Sequence, residues 1–434
     1  MAEPSLETII PETGFADLLD SIAGGFANFS SAVLVSSETR WPKRFYFRLH
    51  VEADELEAQL DDYGARHNSA FCLLTELTAS IRGFASAGLS LTHLSKRMDG
   101  YGINRAMEPQ AVSALQDGLE QARRFVQSSI CRFIEAWWME CEVRGFGLKR
   151  SQTPPEALPV ARRFRLPRDL GNEDLPDEDQ RIAEVASKYL QAVDMLKACG
   201  LRQESDPSSR RKLLQAGCTE QIARVFEATV HNLQSAYDTY ISNTRIEDED
   251  TRLSQLRGHI STVLHLLEGV THLTHFVERH ESGQREEAVE GPLAKLVDRD
   301  EVQDLILNNL LAGALAALCA GASLAEELLP RYTDMQTLTV ELPEHLSLHA
   351  RPASLIVAIV TFHGTPVVME INDKVANAAS ILEVMVLVGS NLDARIFRFR
   401  GDTKPLNDVR LLFEAGLGEE GLQKLPSQLA YLRR

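Results

Sequence analysis

The residues best suited to chemistry form the short string LSLHARPAS, Leu346–Ser354, in the last quarter of the 434-residue chain. His349 carries an imidazole, which is neutral and nucleophilic near neutral pH because its reference pKa is about 6.5. Such a ring can take a phosphoryl group in a transition state that mainly needs positioning. At the start of a helix, unpaired backbone amides and the guanidinium of Arg351 would offset the added negative charge. Pro352 suits a first helical turn. The alternative interpretation is a histidine that merely caps a helix.

The sequence around this string predicts the elements that must position it. Before it, Leu338, Val340 and Leu342 alternate with polar residues, a pattern typical of a half-buried strand. After it, the predicted elements are a helix at 353–362, strands at 367–371 and near 375, a helix at 380–388, a strand at 394–399 and a helix at 406–415. The order βαββαβα is typical of an α+β open-faced sandwich, with helices on one face of an antiparallel sheet. His349 would then lie where the first strand gives way to the first helix.

This part of the chain resembles HPr, the phosphohistidine carrier of the bacterial phosphoenolpyruvate-dependent phosphotransferase system (PTS), and its nitrogen-related paralogues. The resemblance covers about residues 336–418 and includes the string Asn377–Met385 and the closing string Phe413–Gly418. It implies that His349 accepts a phosphoryl group from phospho-enzyme I and that Arg351 stabilises the phosphate. The group would pass to an enzyme IIA-type or regulatory acceptor protein. The resemblance thus implies a phosphotransfer protein rather than a free-standing enzyme.

The sequence departs from the family's pattern at Ser347 and around Ser380. Ser347 stands where the family usually has glycine, which could change how the loop presents the imidazole ring. Ser380 matches the position that a dedicated HPr kinase phosphorylates in many members, so the resemblance also implies that kinase as a partner. However, Ala379 replaces the usual basic residue, and Glu383 adds negative charge in the following turn. Serine is also a good helix N-cap, and capping is the alternative interpretation of Ser380.

The remaining three quarters of the chain is predicted to be all-helical. Apolar residues recur at three- and four-residue steps from Glu52 to Met98, and again from Pro109 to about Gly145. A Pro/Arg-rich stretch that cannot continue a helix follows. The predicted organisation is a first helical part at 1–145, a linker at 146–176, a second helical part at 177–330 and an HPr-like domain at 335–434.

Charge and cysteine usage exclude several classes of partner. The chain has 62 acidic and 45 basic residues, so phosphate backbones and anionic headgroups repel it, and neither nucleic acid nor a membrane is an expected partner. The uncharged stretch between Asp304 and Glu326 is long enough to span a bilayer, but its Ala, Gly and Asn content predicts a helix buried in a bundle. Six cysteines without CxxC spacing or a secretory leader predict a cytoplasmic protein with reduced thiols.

Histidines of the helical part suggest a metal hypothesis. His265, Glu268, His272 and His275 fall within about a quarter turn of one helix. The sequence supplies no matching Glu-x-x-His partner pair, so a solvated or interface face is the favoured interpretation. No metal and no other cofactor is predicted, since Gly-rich phosphate loops and nucleotide-binding fingerprints are also missing from the sequence.

The leading prediction is a phosphocarrier or a phosphorylation-dependent regulator. In that prediction the helical region senses a signal, forms a homo-oligomer or binds the output partner. The main alternative is a non-catalytic docking protein that uses a degenerate HPr-like domain. A third hypothesis makes the helical region an unrecognised enzyme or metal protein that the C-terminal domain controls. The first two differ in their dependence on His349, and metal analysis of the purified protein tests the third.

Overall fold

The computed structural model of the chain describes residues 9–155, 178–281, 287–343 and 346–433. The chain forms two compact units, each assembled from separated stretches of sequence. The first unit contains Met1–Leu170, Met195–His231 and Gly258–Ala320, and the second contains Gly171–Asp194, Asn232–Arg257 and Gly321–Arg434. Residues 146–155 of the predicted linker are non-helical, and the rest of that linker lies outside the described residues.

Before residue 335, the regular elements of the described chain are helices. The α-helices among them are α1 (Glu12–Ile22), α2 (Gly24–Leu34), α3 (Lys43–Asp62), α4 (Cys72–Tyr101), α5 (Pro109–Val143), α6 (Glu178–Ala198), α7 (Pro207–Gly217), α8 (Glu220–Tyr240), α9 (Arg245–Glu249), α10 (Thr251–Glu281), α11 (Glu287–Leu296), α12 (Arg299–Asp304) and α13 (Ala312–Leu328). A π-helical segment, Leu305–Leu311, joins α12 to α13. The prediction of a helical region is confirmed.

The break between α3 and α4 differs from the single helical pattern predicted from Glu52 to Met98. The first helix ends at Asp62 and the next begins at Cys72. Between them, Gly64 has a φ of 71°, a left-handed conformation that a right-handed helix does not contain. Gly102, with a φ of 68°, ends α4 where the sequence predicted a stop.

Two glycines permit the closest helix packing in the first unit. Gly88 of α4 lies directly against the ring of Tyr46 on α3, so that a Cβ at this position would overlap the ring. Gly258 of α10 lies against the backbone oxygen of Tyr101, and a Cβ there would overlap it as well. Because protein interiors are close-packed, larger side chains at either position would force these helices apart.

The apolar stretch of α12 and α13 is the one described helix long and apolar enough to cross a membrane. It runs from Arg299 to Arg331, and half of its most apolar window is buried inside the protein. Leu310, Ala314 and Ala317 are fully buried. The buried half of the window packs inside the protein.

All six cysteines are free. Cys72, Cys141 and Cys218 are buried, and the other three are partly buried. Burial raises the pKa of the Cys218 thiol to about 12 and that of Cys131 to about 11. These two side chains are therefore protonated at neutral pH and poorly reactive, because the thiolate is the nucleophilic form.

The elements after residue 335 follow the predicted order. They are β1 (Met335–Glu341), α14 (Ala350–His363), β2 (Val367–Ile371), β3 (Lys374–Asn377), α15 (Ile381–Gly389), β4 (Ile396–Asp402) and α16 (Thr403–Glu414). The strands form one antiparallel sheet in the order β1-β4-β2-β3. Leu338 pairs with Phe399 and Val340 with Phe397. The prediction of a helical region joined to an α+β part with a small antiparallel sheet is confirmed.

One face of this sheet carries the core of the C-terminal part. Phe397 and Phe399 of β4 are buried together with Ile356 of α14, Val384 of α15 and Leu412 of α16. The strand residues between these two phenylalanines and beside them point to the opposite face and are exposed. This alternation in burial places the helices on one face of the sheet only.

The chain after α16 folds back onto the same core. Leu417, Leu425 and Leu429 are buried among the core residues. The Tyr431 ring stacks on Phe362 with ring centroids 3.8 Å apart. The C-terminal segment is therefore part of the packed domain, because these apolar side chains leave water on folding.

Part of α6 packs against the C-terminal part within the second unit. The Gln180 side chain donates a hydrogen bond of 2.8 Å to the backbone oxygen of His363, at the end of α14. The next residue, Gly364, has a φ of 67°, and a Cβ there would lie 2.7 Å from Cγ of Glu184. The turn after α14 thus depends on the left-handed conformation of Gly364 and on contacts with α6, a helix remote in sequence.

Candidate functional site

His349 lies at the N-cap of α14, directly before the first helical residue. Its Nδ1 accepts a hydrogen bond of 3.4 Å from the backbone N–H of Arg351. The side chain is 50% exposed, so solvent and a docked protein can both reach the ring. Nδ1 thus faces the unpaired amides and the positive end of the helix dipole, where added negative charge is stabilised.

A carboxylate lies on the other side of the ring. Nε2 of His349 is 3.0 Å from Oε1 of Glu419, a residue of the C-terminal segment. Oε1 is buried but makes no hydrogen bond among the described residues, so its contact with Nε2 is a close approach of charge without hydrogen-bond geometry. On the other side of the ring, Nδ1 accepts the N–H of Arg351 and must carry a lone pair, which places the proton of the neutral ring on Nε2.

The structure places Arg351 in the first turn of α14 with its side chain exposed. Within the described part of the chain, its guanidinium has no ion pair or hydrogen bond. It is therefore available to an incoming anion, unlike most of the arginines that the structure describes, which pair with carboxylates. Pro352 is buried in the same turn, where its missing amide donor is not needed.

The loop between β1 and α14 accepts hydrogen bonds from an arginine that directly precedes β4. Nη1 of Arg395 donates to the backbone oxygens of Pro343 and Leu346, at 3.2 and 2.8 Å. Leu348 is buried, which anchors the loop on the core. Ser347 lies outside the left-handed region of φ, so the replacement of the family's glycine places no strain on the backbone here.

Ser380 lies at the N-cap of α15. Its Oγ accepts a hydrogen bond of 3.4 Å from the backbone N–H of Glu383. The Glu383 carboxylate reaches back and accepts from the backbone N–H of Asn377 at 2.9 Å, and the Asn377 side chain accepts from Ala379 N–H. These contacts resemble a capping box, in which serine and glutamate satisfy backbone donors before and within the first turn.

The histidines of α10 contact separate carboxylates. His265 Nδ1 is 2.9 Å from Glu268, whereas His275 Nδ1 is 2.7 Å from Glu220 on α8. Burial lowers the pKa of His272 to about 4. Among the described residues, no group of three or more His, Cys, Asp or Glu side chains is placed to hold a metal ion.

Residues 336–394 match the family described as PTS HPr component phosphorylation site. The matched stretch contains His349, Arg351 and Ser380 at the positions described above. This part of the chain is an HPr-like domain. No curated protein and no solved structure matches the chain.

Two charged residues contact His349 or its loop without a motif that marks them in the sequence. Glu419 lies beyond the matched stretch, one residue after the family-like closing string, and no periodic pattern marks it. Arg395 comes just after the matched stretch and falls within the strand predicted at 394–399. The sequence offers a charge of the right sign at each position, but only the folded chain brings these charges to the loop.

Proposed function

We propose that the chain is a phosphocarrier or a phosphorylation-dependent regulator of a phosphotransferase system. His349 accepts a phosphoryl group from an enzyme I-type phosphohistidine donor and passes it to an enzyme IIA-type or regulatory acceptor protein. The observation that carries the proposal is the placement of His349 Nδ1 at the N-terminus of α14, within a domain that matches the HPr phosphorylation-site family.

The geometry supports transfer to Nδ1. The Nδ1 lone pair forms the new N–P bond while the bond between phosphorus and the donor nitrogen breaks, and the ring keeps its proton on Nε2. Once Nδ1 carries the phosphoryl group it no longer accepts from Arg351 N–H. That amide then becomes a donor for a phosphate oxygen, together with the free guanidinium of Arg351. Such preorganised donors stabilise charge with little rearrangement during transfer.

An exposed apolar face of α15, which packs against α14, supports a protein rather than a small molecule as donor and acceptor. Three apolar side chains of α15, Ile381, Leu382 and Val386, are exposed. Exposed apolar residues grouped on one helix often mark a protein contact. Donor and acceptor would use this face in turn.

In the same proposal, the helical region senses a signal, forms a homo-oligomer or binds the output partner. The protein works in the cytoplasm of a bacterium.

Ser380 is proposed as a second, regulatory phosphorylation site for an HPr kinase. The hydroxyl is partly exposed but engaged in the cap of α15. A phosphoserine there would face the Glu383 carboxylate, whose repulsion opposes the favourable helix N-terminus. Phosphorylation would therefore remodel the first turn of α15, next to the proposed docking face.

The test is to incubate the purified full-length protein with phosphoenolpyruvate and enzyme I, then measure acid-labile phosphate by intact mass. We expect one phosphoryl group on the wild type and on His67→Ala, which removes an exposed histidine of the helical region. We expect none on His349→Ala. A free HPr in the same reaction shows that the donor is active.

If the folded wild type stays unlabelled while the free HPr is labelled, the phosphocarrier proposal is wrong. The docking protein then becomes the better hypothesis, and His349→Ala should keep its binding to the partner. Label that persists in His349→Ala would place the acceptor elsewhere and would also contradict the proposal.

A further inference from the structure

The second side of the His349 ring offers a contact that the matched family stretch does not contain. Glu419 follows the short turn Gly416–Gly418, in which Leu417 is fully buried. The turn contains three left-handed residues, with φ values of 67°, 57° and 72° for Gly416, Leu417 and Gly418. Two glycines tolerate this conformation at little cost. The backbone thereby reverses and brings the next side chain to the ring.

From this geometry we infer that Glu419 is a positioning residue for phosphoryl transfer at His349, and the inference rests on the proposed function. Its carboxylate, 3.0 Å from Nε2, places a negative charge beside the nitrogen that carries the proton, while Nδ1 keeps its lone pair toward the helix N-terminus. Glu419 does not contact the phosphoryl group. It acts through the histidine ring.

Charge balance during transfer explains why a carboxylate suits this place. Attack by the Nδ1 lone pair forms the N–P bond and breaks the donor's N–P bond, and the ring, which still carries its Nε2 proton, becomes positively charged. An anion beside Nε2 stabilises this charge. In the proposed carrier, the same contact keeps the phosphorylated ring in the protonated form, which is the better leaving group for the next transfer.

The adjacent Glu420 provides a matched control. It is exposed and pairs with Lys424 at 2.9 Å, away from the histidine. Glu419→Gln removes the negative charge but keeps the size of the side chain, whereas Glu419→Ala removes both. The pair of variants at position 419 therefore separates the effect of charge from the effect of packing beside the ring.

The first measurement needs no phosphoryl donor. Long-range ¹H–¹⁵N NMR of the full-length protein reports which nitrogen of His349 carries the proton. We expect the Nε2–H form in the wild type and in Glu420→Gln. Glu419→Gln and Glu419→Ala should both show a larger share of the Nδ1–H form, because the charge that favours a proton on Nε2 is gone. An unchanged proton position in both variants, with folding verified by thermal unfolding, would overturn the inference.

The second measurement uses enzyme I and phosphoenolpyruvate. We expect the rate of His349 phosphorylation to fall about two- to fivefold in Glu419→Gln and Glu419→Ala, the size that a partly exposed charge contact provides. The pH profile for hydrolysis of the phosphohistidine should move to lower pH in both variants. Glu420→Gln should match the wild type.

Failure of this inference differs from failure of the proposed function. If the wild type is phosphorylated and Glu419→Gln shows the rate and pH profile of Glu420→Gln, Glu419 is a structural neighbour only and the inference is wrong. If no variant and no wild-type protein takes up phosphate, the proposed function is wrong, and the NMR comparison alone decides whether Glu419 positions the ring.

Discussion

At the scale of single residues, burial sets the charge of two histidines in the first unit. Burial lowers the pKa of His272 to about 4, and burial with the nearby His265 lowers that of His93 to about 4. Both side chains are neutral in the folded protein at neutral pH, whereas an unfolded chain protonates histidine below about pH 6.5. The unfolded state therefore binds more protons between about pH 6.5 and pH 4, and stability is lost as the pH falls through that window.

We expect His272→Gln to resist acid better than the wild type. The substitution removes an imidazole that stays neutral in the folded state but is protonated in the unfolded state. It should therefore recover on the order of 2 kcal/mol of the stability lost between about pH 6.5 and pH 4. Urea unfolding of the full-length protein at several pH values measures this difference. The exposed His67→Gln is the control and should follow the wild type. Equal acid losses in His272→Gln and His67→Gln would contradict the prediction.

Which site residues could be read from the sequence depends on how far apart they lie along the chain. His349 and Arg351 belong to one string, and the helix that follows fixes their relation, so sequence alone indicates them. Glu419 and Arg395 reach the same loop only after the chain has reversed direction several times. Neither carries a local signal, because a single charged residue near a strand or a turn is more often solvated than functional.

At the scale of elements, α15 depends on its N-terminal cap. The Ser380 hydroxyl accepts from the N–H of Glu383, which would otherwise lack a partner. We expect Ser380→Ala to lower the free energy of unfolding by about 1 kcal/mol, and Ser380→Asn, which keeps a capping oxygen, to lower it by much less.

Chemical denaturation of the unphosphorylated protein checks this cap. Ser390→Ala is the matched control, since Ser390 lies at the other end of α15 and its hydroxyl donates to the backbone oxygen of Val386. We expect that substitution to cost less than Ser380→Ala. Identical stability of Ser380→Ala and wild type would rule out capping as the reason for serine here and would favour the regulatory interpretation.

The elements that sequence predicted best are those with a clear period. The two-residue alternation at Leu338 and Val340, followed by a helical pattern, was enough to predict β1 and α14. The break at Gly64 was missed because apolar residues continue at helical spacing on both sides of it. A glycine that adopts a left-handed φ looks in the sequence like any other glycine within a helix.

At the scale of the whole molecule, the predicted boundary near residue 335 and the two compact units divide the chain differently. The second unit joins the HPr-like domain to Gly171–Asp194 and Asn232–Arg257. Contacts such as Gln180 to His363 link residues far apart in sequence. Periodicity and composition are local signals and carry no information on which remote helix a given face meets. The domain boundary at residue 335 stays a prediction.

Gly364 offers a test of the contact between α6 and the HPr-like domain. Gly364→Ala introduces a Cβ at a φ of 67° and within 2.7 Å of Glu184, whereas Gly416→Ala introduces one at the same φ into open space. Both substitutions should cost about 1 kcal/mol for the left-handed backbone. Gly364→Ala should cost about 1 kcal/mol more, because the Glu184 side chain must move. Thermal unfolding of the full-length variants measures the difference, and equal losses would mean that α6 gives way without cost.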